Sequence, residues 1–425
     1  MKKLTAACVL VLAVAFPAAS GARLIVGIND DVKYEASVPT FFMPTMQADG
    51  LKMNALTIRW DDTQPTYLDP DLATYLTQVI ASAQAAGVTV ELDLYPLHSQ
   101  AFTDGLKCAP ATDPLACGDT TKIQQFATWV ANVAQTFPTV QQFIVMNECN
   151  QPLFVNPQWG TTSLNQSAAI CGRALAAAYD ALKAVSPSSF VWGVGLSPRG
   201  NDAPNAASNS STTPVRFLGY LGAWFRVFAA KTHRTAPLMD GFDFHPYPVP
   251  QSLPFATGYA NVRDASISNL ARIYQAFYNG FTGTPQRTIG QQRGGGLPVS
   301  LNEMGIQTNA SGQPGYTGTE VSANAAGGMV GQYASETYQA TYYKQMLSLL
   351  ACDPNVRVIN LFHLVDEPSL AGWQSGLYWV GTDGPVAKQS AAAVSTWLGT
   401  TGGACQGKMV PWRPAPPALT AGTKK

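Results

Sequence analysis

The sequence has little charge and no cluster of basic residues. Its 26 Lys and Arg residues equal its 26 Asp and Glu residues, and charged residues form only 12% of the chain. Without a run of Lys or Arg, the protein offers no electrostatic match for nucleic acid or for an anionic membrane. A neutral chain rich in polar and aromatic side chains instead suits an uncharged ligand, although many exported proteins share this composition.

Metal-binding spacings and membrane spans are lacking as well. No CxxC or HxxxH pair occurs and the chain has only 4 His, which argues against a zinc site. The apolar run at residues 4–16 is too short to cross a bilayer. It follows a start of Met-Lys-Lys and precedes small residues at 18–22, a pattern typical of a cleaved leader. We therefore predict a signal peptide over residues 1–22 and a secreted, monomeric protein with no membrane partner.

The cysteine count favours disulfide bonds. Of 7 cysteines, Cys8 lies in the predicted leader, which leaves an even number for the exported chain. Proximity along the chain suggests three pairs, while other pairings remain open: Cys108–Cys117, Cys149–Cys171 and Cys352–Cys405.

Short apolar, β-branched runs recur along the chain with amphipathic segments between them. They are continuous rather than alternating, as expected for parallel strands buried on both faces. Eight strands are predicted, over residues 24–29, 55–60, 89–94, 142–147, 190–196, 241–245, 299–303 and 356–363. Helices are predicted over residues 71–86, 122–136, 168–185, 215–231, 267–279, 336–350 and 390–398.

This alternation predicts an α/β fold, a (β/α)8 TIM barrel over residues 23–399, with an open doubly wound sheet as the alternative. Residues 400–425 form a C-terminal extension whose end, from residue 415, is predicted to be disordered. Enlarged polar loops follow strands three, five, six and seven, on the face where barrel active sites form, over residues 96–121, 197–214, 249–265 and 305–335.

Two glutamates stand at the ends of predicted strands. Glu148 follows strand four and Glu303 ends strand seven. A carboxylate is costly to hold there without a task. Strands four and seven lie across a barrel from each other, so both side chains can flank one bond. Glycosidic cleavage needs such a pair, one group to protonate the leaving oxygen and one to attack the anomeric carbon or activate water. A structural ion pair with Arg59 is the alternative.

The arrangement resembles the clan A retaining glycoside hydrolases, which are (β/α)8 barrels. It is closest to the cellulase-like family five, with some resemblance to family thirty-nine. Asn147-Glu148 ends strand four, and Glu303 precedes Met304-Gly305 at the end of strand seven. The resemblance implies that Glu148 is the acid/base and that Glu303 is the nucleophile.

Other strand ends extend the resemblance over nearly the whole chain after the leader. Arg59 ends strand two, where the clan keeps an arginine near the nucleophile, and Asn147 takes the place of the asparagine that contacts the sugar 2-hydroxyl. His245-Pro246-Tyr247 resembles the clan's His-x-Tyr, whose Tyr bonds the nucleophile. Arg59, Asn147, His245 and Tyr247 are thus implied to line the substrate site.

Departures from the pattern leave the sugar undefined. Tyr95 follows strand three, where a His is common in the family. Strand eight ends in Phe362-His363 instead of Trp, so Trp373 or Trp379 is predicted to supply the stacking ring. Tyr95, His363, Trp373 and Trp379 complete the predicted substrate-binding set.

The sequence therefore predicts a retaining β-glycosidase that acts by double displacement on an oligosaccharide, glycoside or polysaccharide, without metal or cofactor. Action on chain ends or short glycosides is slightly favoured, and internal cleavage of a polysaccharide is the alternative. A non-catalytic carbohydrate-binding barrel is the second hypothesis. A metal-dependent hydrolase is the third hypothesis. The scarcity of histidines argues against it, since only His245 and His363 lie at predicted strand ends.

Overall fold

Eight parallel strands close into a barrel in this computed structural model, and β1 pairs with β8 to complete the ring. The strands are β1 (Ile25–Asp30), β2 (Met53–Trp60), β3 (Thr89–Pro96), β4 (Gln142–Val145), β5 (Phe190–Leu196), β6 (Gly241–Phe244), β7 (Val299–Met304) and β8 (Val356–Phe362). Each falls on one of the eight predicted strands. The predicted α/β barrel is therefore confirmed, and the open sheet is excluded.

The structure describes most of the chain, namely residues 23–30, 32–103, 117–160, 165–204, 210–249, 253–290, 296–318 and 333–415. The predicted signal peptide and residues 416–425 lie outside the described residues. Cys108 does too, and with it the predicted Cys108–Cys117 pair.

Helices surround the barrel. They are α1 (Val32–Ser37), α2 (Phe42–Ala48), α3 (Pro70–Ala86), α4 (Thr120–Thr136), α5 (Ser167–Val185), α6 (Pro214–Thr232), α7 (Leu270–Phe281), α8 (Glu336–Leu350) and α9 (Gln389–Thr401). A 3₁₀ turn at Ile267–Asn269 leads into α7, and a short strand pair, β9 (Tyr378–Trp379) and β10 (Val386–Ala387), follows β8. The seven predicted helices are all present, whereas the short α1 and α2 were not predicted.

Helix ends follow local chemistry. The Asp69 carboxylate accepts hydrogen bonds from the Asp71 and Leu72 amides and caps the start of α3. Gly87 ends the same helix at a φ of 67°, a conformation that glycine adopts without steric cost. Asp119 caps α4 in the same way. These residues define the start of α3 and of α4 and the end of α3.

The interior of the barrel has an apolar lower end and a polar upper part. The lower end is a cluster of Met53, Ile144, Trp192 and Val358, with Ile25 and Phe190 packed against it. Above it, Asn360 on β8 donates a 3.3 Å hydrogen bond to Glu91 on β3, so both side chains cross the interior. The buried polar residues of this upper part are Asn29, Glu91, Asp93, Asp243, Ser300, Asn302 and Asn360. Buried charge is costly unless it is paired or used.

Two of the predicted disulfides are confirmed. Cys149–Cys171 joins the segment after β4 to α5 with an S–S distance of 2.10 Å. Cys352–Cys405 joins the segment before β8 to the segment after α9 at 1.94 Å. The first therefore lies at the upper end of the barrel and the second at the lower end.

Residues after α9 pack against the barrel. The ring of Trp412 lies edge-on to Tyr274 in α7, with 5.7 Å between centroids. Helix α9 itself runs to Thr401, so the predicted extension begins inside the helix. Across the described part of the chain, every helix falls short of the length or the apolarity that crossing a bilayer requires.

Candidate active site

Glu148 and Glu303 meet at the upper end of the barrel. A carboxylate oxygen of one lies within 4.8 Å of a carboxylate oxygen of the other. The side chains are 16% and 14% exposed, so each is sheltered yet reachable. Paired carboxylates that cleave sugars lie either about 5–5.5 Å apart, in retaining enzymes, or about 6.5–9.5 Å apart, in inverting enzymes. The present pair matches the closer spacing.

The backbone turns sharply after β4 to carry Glu148. Met146 and Glu148 have φ values of 69° and 36°, in the left-handed region that costs roughly 1–2 kcal/mol per residue. The Glu148 N–H donates to the Gly195 carbonyl at 2.7 Å, and the Met146 N–H donates to the Leu94 carbonyl at 3.0 Å. The neighbouring strands thus hold the turn on both sides. Such strain is concentrated at functional sites.

The residue after Glu148 anchors it further. Cys149 is fully buried and is bonded to Cys171 in α5. The Gln158 side chain donates to the Cys149 carbonyl at 2.8 Å. The catalytic candidate on β4 is therefore tied covalently to the outer helix layer.

Asp243, His245 and Tyr247 alternate along the end of β6 and so share one face. His245 is fully buried, and its Nδ1 lies 3.2 Å from Glu148 Oε1 and 3.5 Å from Glu303 Oε2. Its Nε2 lies 3.3 Å from Asp243 Oδ2. The Tyr247 hydroxyl donates to Glu303 Oε2 at 3.2 Å. Tyr247 thus makes the contact that the resemblance implied, while His245 sits between the two glutamates.

Charge in this cluster follows from burial and proximity. Burial raises the pKa of the Glu303 carboxyl, the His245 cation opposes this, and the Glu148 charge adds to it. Burial disfavours a charged His245, but the Glu303 charge and hydrogen bonds to Asp243 and Glu148 outweigh it and raise the pKa of His245 well above its usual value. Burial and the Glu303 charge also raise the pKa of Tyr247, which keeps its proton. These contacts therefore favour the protonated form of the buried His245 imidazole.

Arg59 and Tyr95 stand together at the ends of β2 and β3. Arg59 Nε donates to the Tyr95 hydroxyl at 3.3 Å, and its guanidinium carbon lies 5.7 Å from the centroid of the Tyr95 ring. Burial and the Asp93 charge raise the pKa of Tyr95. The His245 imidazole thus lies against both glutamates, and the Arg59 guanidinium lies against Tyr95.

Asn147 offers an unused acceptor beside the glutamates. Its side chain is buried, and its Oδ1 has no hydrogen-bond partner within the described residues. A Cβ placed on Gly195 would lie 3.2 Å from this oxygen and 3.0 Å from His245 Nε2. Gly195, at a φ of 47°, therefore leaves the room that both side chains occupy. Buried polar atoms are rarely left without a partner, so this amide is available to a ligand hydroxyl.

An aromatic cluster adjoins Glu303. The ring centroid of Trp373 lies 5.1 Å from that of Tyr247 and 5.5 Å from that of Phe362. Trp373 and Phe362 are half-buried and can present a ring to a sugar. Phe362 was not among the predicted site residues, although it ends β8. Trp379 is buried and packs under Lys388, whose Nζ lies 4.1 Å from the ring centroid.

His363 is buried at the end of β8. Its Nδ1 lies 3.2 Å from Asp30 Oδ1, and its Nε2 lies 3.4 Å from Glu367 Oε1. Burial disfavours its charged form, but Asp30 and Glu367 raise the pKa of His363 to about 10. The structure thus places His363 in an ion pair that links β8 to β1.

Two carboxylate and histidine groups have the spacing of metal ligands, Glu148–His245–Glu303 and Asp61–Asp62–His98. In the first group the imidazole faces carboxylates at both nitrogens, and these raise its pKa; the protonated form that they favour has no lone pair to offer a metal. In the second, Lys122 Nζ lies 3.7 Å from Asp62 Oδ2 and already supplies a cation. The donor chemistry of both groups therefore disfavours a metal-dependent hydrolase.

Neither a known family model nor a curated protein matches this sequence. Solved structures do match its fold. A family 39 glycoside hydrolase from Bacteroides cellulosilyticus WH2 is 14% identical with a TM-score of 0.52, over 88% of this chain and 64% of that one. A beta-glucosidase from Thermotoga maritima, in complex with noeuromycin, is 12% identical with a TM-score of 0.55, over 90% and 98%.

GH5_18 from Streptomyces cattleya, in complex with GlcNAc, is 14% identical with a TM-score of 0.54, over 89% of this chain and 80% of that one. At such identities the likeness establishes the barrel fold and nothing finer. This chain also spans less than two thirds of the family 39 protein. The two families that the sequence resembles are nevertheless both represented among these structural neighbours.

Proposed function

We propose that this protein is a secreted retaining glycoside hydrolase that cleaves β-linked sugars by double displacement. The observation that carries the proposal is the approach of Glu148 and Glu303 carboxylate oxygens to within 4.8 Å at the ends of β4 and β7. That spacing is the one expected of retaining enzymes, whereas the carboxyl groups of an inverting pair stand about 6.5–9.5 Å apart to admit a water between the base and the anomeric carbon. Sugar-active structural neighbours of the same fold add support.

Glu303 is the better nucleophile. Tyr247 donates a hydrogen bond to its Oε2, and the His245 cation lies 3.5 Å from the same oxygen. Both contacts favour the ionised carboxylate against the effect of burial. In the first step Glu303 attacks the anomeric carbon while Glu148 gives its proton to the glycosidic oxygen. The C–O bond to the leaving alcohol breaks, and an ester between the sugar and Glu303 forms.

The second step reverses these roles. Glu148, now ionised, takes a proton from water, which attacks the anomeric carbon and releases Glu303 as a carboxylate. The negative charge has moved from Glu303 to Glu148 between the steps. His245 Nδ1 is nearly equidistant from both glutamates, so the same cation can stabilise either charge.

The side chains that are available to contact a sugar away from the reacting bond are uncharged. Trp373 and Phe362 offer aromatic faces, and Asn147 Oδ1 offers an acceptor to a sugar hydroxyl. The neutral composition of the chain fits such a ligand. Enlarged loops on the upper face favour chain ends or short glycosides over internal cuts in a polymer.

The decisive experiment is a screen of aryl glycosides and polysaccharides, with the anomeric configuration of the first product read by NMR. We expect a β-configured product from a β-linked substrate. Glu303→Gln should reduce turnover below detection while leaving the fold unchanged by circular dichroism.

Glu336→Gln makes the same chemical change in α8, where Glu336 caps the Gln389 amide, and serves as the matched control. Turnover at the wild-type rate in Glu303→Gln would remove the mechanism. An inverted product would remove double displacement but leave glycosidase activity. Binding of glycans without any hydrolysis would favour the non-catalytic barrel.

A further inference from the structure

A carboxylate that the double-displacement mechanism does not use lies directly behind His245. Asp243 is fully buried in the upper interior of the barrel, two residues before His245 on β6. Its Oδ2 lies 3.3 Å from His245 Nε2. Since His245 Nδ1 faces the two glutamates, the imidazole ring bridges Asp243 and the reacting pair.

Asp243 also reaches the strand that carries Glu303. Strands β6 and β7 pair at Phe242 with Val299 and at Asp243 with Ser300. Beyond that point, Asp243 Oδ1 accepts the Asn302 N–H at 3.0 Å. The side chain thus takes the place of a backbone acceptor one step before Glu303. Asp243 therefore holds both the imidazole and the end of β7.

A hydrogen-bonded series extends from this carboxylate into the barrel. Asn360 Nδ2 donates to Asn302 Oδ1 at 2.8 Å and to Glu91 Oε2 at 3.3 Å. Asp93 lies in the same interior, with neither carboxylate oxygen hydrogen-bonded within the described residues. Burial and then the Glu303 charge raise the pKa of Asp93 well above its usual value, which favours its neutral form. Asp243 is thus the buried carboxylate that contacts the His245 ring, and it stands two residues before His245 along the chain.

We propose that Asp243 is a positioning residue that keeps His245 as an imidazolium ion between Glu148 and Glu303. The ring then donates Nε2–H to Asp243 and Nδ1–H toward the glutamates, and neither nitrogen is left to accept a proton. The titratable groups that face His245 and Glu303 from the surrounding strands are Glu148, Asp243, Tyr247, Asp93 and Tyr95.

The consequence for catalysis rests on the proposed function. Burial raises the pKa of Glu303, and the His245 charge acts against that rise. Loss of the charge would raise the pKa of Glu303 further. The acid limb of kcat/KM, which reports ionisation of the nucleophile in the free enzyme, would then move to higher pH.

The test is Asp243→Asn. The amide oxygen can still accept the Asn302 N–H, and the amide nitrogen can donate to a neutral Nε2, so geometry is kept while the charge is removed. Imidazole resonances in the full-length protein are recorded by ¹H–¹⁵N NMR from pH 5 to 9. With only 4 His in the chain, His245 is assigned by comparison with His245→Gln.

We expect His245 to remain protonated over this range in the wild type and to titrate within the range in Asp243→Asn. A neutral His245 in the wild type at pH 7, or a His245 that stays protonated over the whole range in the variant, would overturn the proposal. This readout needs no substrate, so it stands even if no glycoside is cleaved. If the variant does not fold, the wild-type spectrum still tests the proposal, because a neutral His245 at pH 7 overturns it.

Where a substrate is found, the acid limb of kcat/KM should move up by about one pH unit in Asp243→Asn. Glu91→Gln is the control, because it also replaces a buried carboxyl of the barrel interior by an amide, and its hydrogen bond goes to Asn360. Burial raises the pKa of Glu91 to about 8, so this change removes little charge at neutral pH. Asp243→Ala removes the Asn302 contact too and should lower kcat in addition. A uniform loss of rate in Asp243→Asn with no movement of the limb would show a structural role only.

Discussion

The two ends of the barrel interior are built from the same strands but from opposite kinds of side chain. At the lower end Met53, Ile144, Trp192 and Val358 close the barrel with an apolar cluster. At the upper end buried carboxylates and amides, together with the His245 imidazole, occupy the equivalent space. Burial of apolar side chains at the lower end stabilises the fold. Burial of charged and polar side chains at the upper end costs stability, and these are the side chains of the candidate active site. Mutations at the two ends should therefore separate stability from activity.

The largest expected effect is at the upper end. Glu148→Ala should lower the rate on substrates with poor leaving groups by roughly 10²–10⁴-fold, because protonation of the leaving oxygen is lost. Substrates with activated leaving groups should lose far less in the first step. The measurement is kcat/KM across aryl glycosides of different leaving-group pKa, alongside a urea melt. Equal losses on every substrate would contradict the acid role.

The lower end should respond in the opposite way. Trp192 is buried in the apolar cluster and its ring packs at a tilt of 51° against Phe190, with 4.6 Å between centroids. Trp192→Ala should lower the free energy of unfolding by about 3–5 kcal/mol while leaving the rate per folded molecule unchanged. Trp192→Phe should cost less and serves as the control. A large loss of kcat in Trp192→Phe would break the separation between the two ends.

The two disulfides sharpen the comparison. Cys352–Cys405 closes a segment with a sequence separation of 53, and Cys149–Cys171 one of 22. Chain-entropy arguments give losses of about 4 and about 3 kcal/mol when each pair is replaced by alanine. Only the Cys149–Cys171 variant should also lose activity, because Cys149 follows Glu148. Equal kcat in the two double variants would show that the tether is irrelevant to catalysis.

The last effect is a pH dependence of stability at the second buried histidine of the upper end. The folded-state pKa of His363 is about 10, against an ordinary 6.5. Its protonation therefore contributes fully to stability below pH 6.5 and is lost as the pH rises toward 10. Between these values the slope is on the order of 1 kcal/mol per pH unit. Urea melts of His363→Gln should show a flatter decline, with wild-type activity for the folded enzyme.

The barrel could be predicted from the sequence because most strands are short apolar runs that alternate with amphipathic helical segments. Glu148 and Glu303 could be paired in advance, since strand ends on one face of a barrel converge. The short helices α1 and α2 were not predicted, because each has too few residues to show a helical period of apolar side chains.

Contacts within the site were harder to foresee. The position of His245 between two glutamates depends on the relative register of β4, β6 and β7, which no single segment encodes. Asp243 could have been found, because the spacing of Asp243, His245 and Tyr247 places them on one face of a strand. Phe362 was not predicted, because the resemblance implies a Trp at the end of strand eight and Trp373 and Trp379 lie just beyond it.

The bond between Cys149 and Cys171 has a consequence for where the protein becomes competent. The strained turn at Glu148 is completed by a link that forms only under oxidising conditions. We expect protein synthesised in a reducing cytosol to carry this turn unsecured and to gain its full rate after oxidation. The turn that carries Glu148 would then be secured on export, and a hydrolase of this kind would have reduced activity toward the glycans inside the cell that makes it.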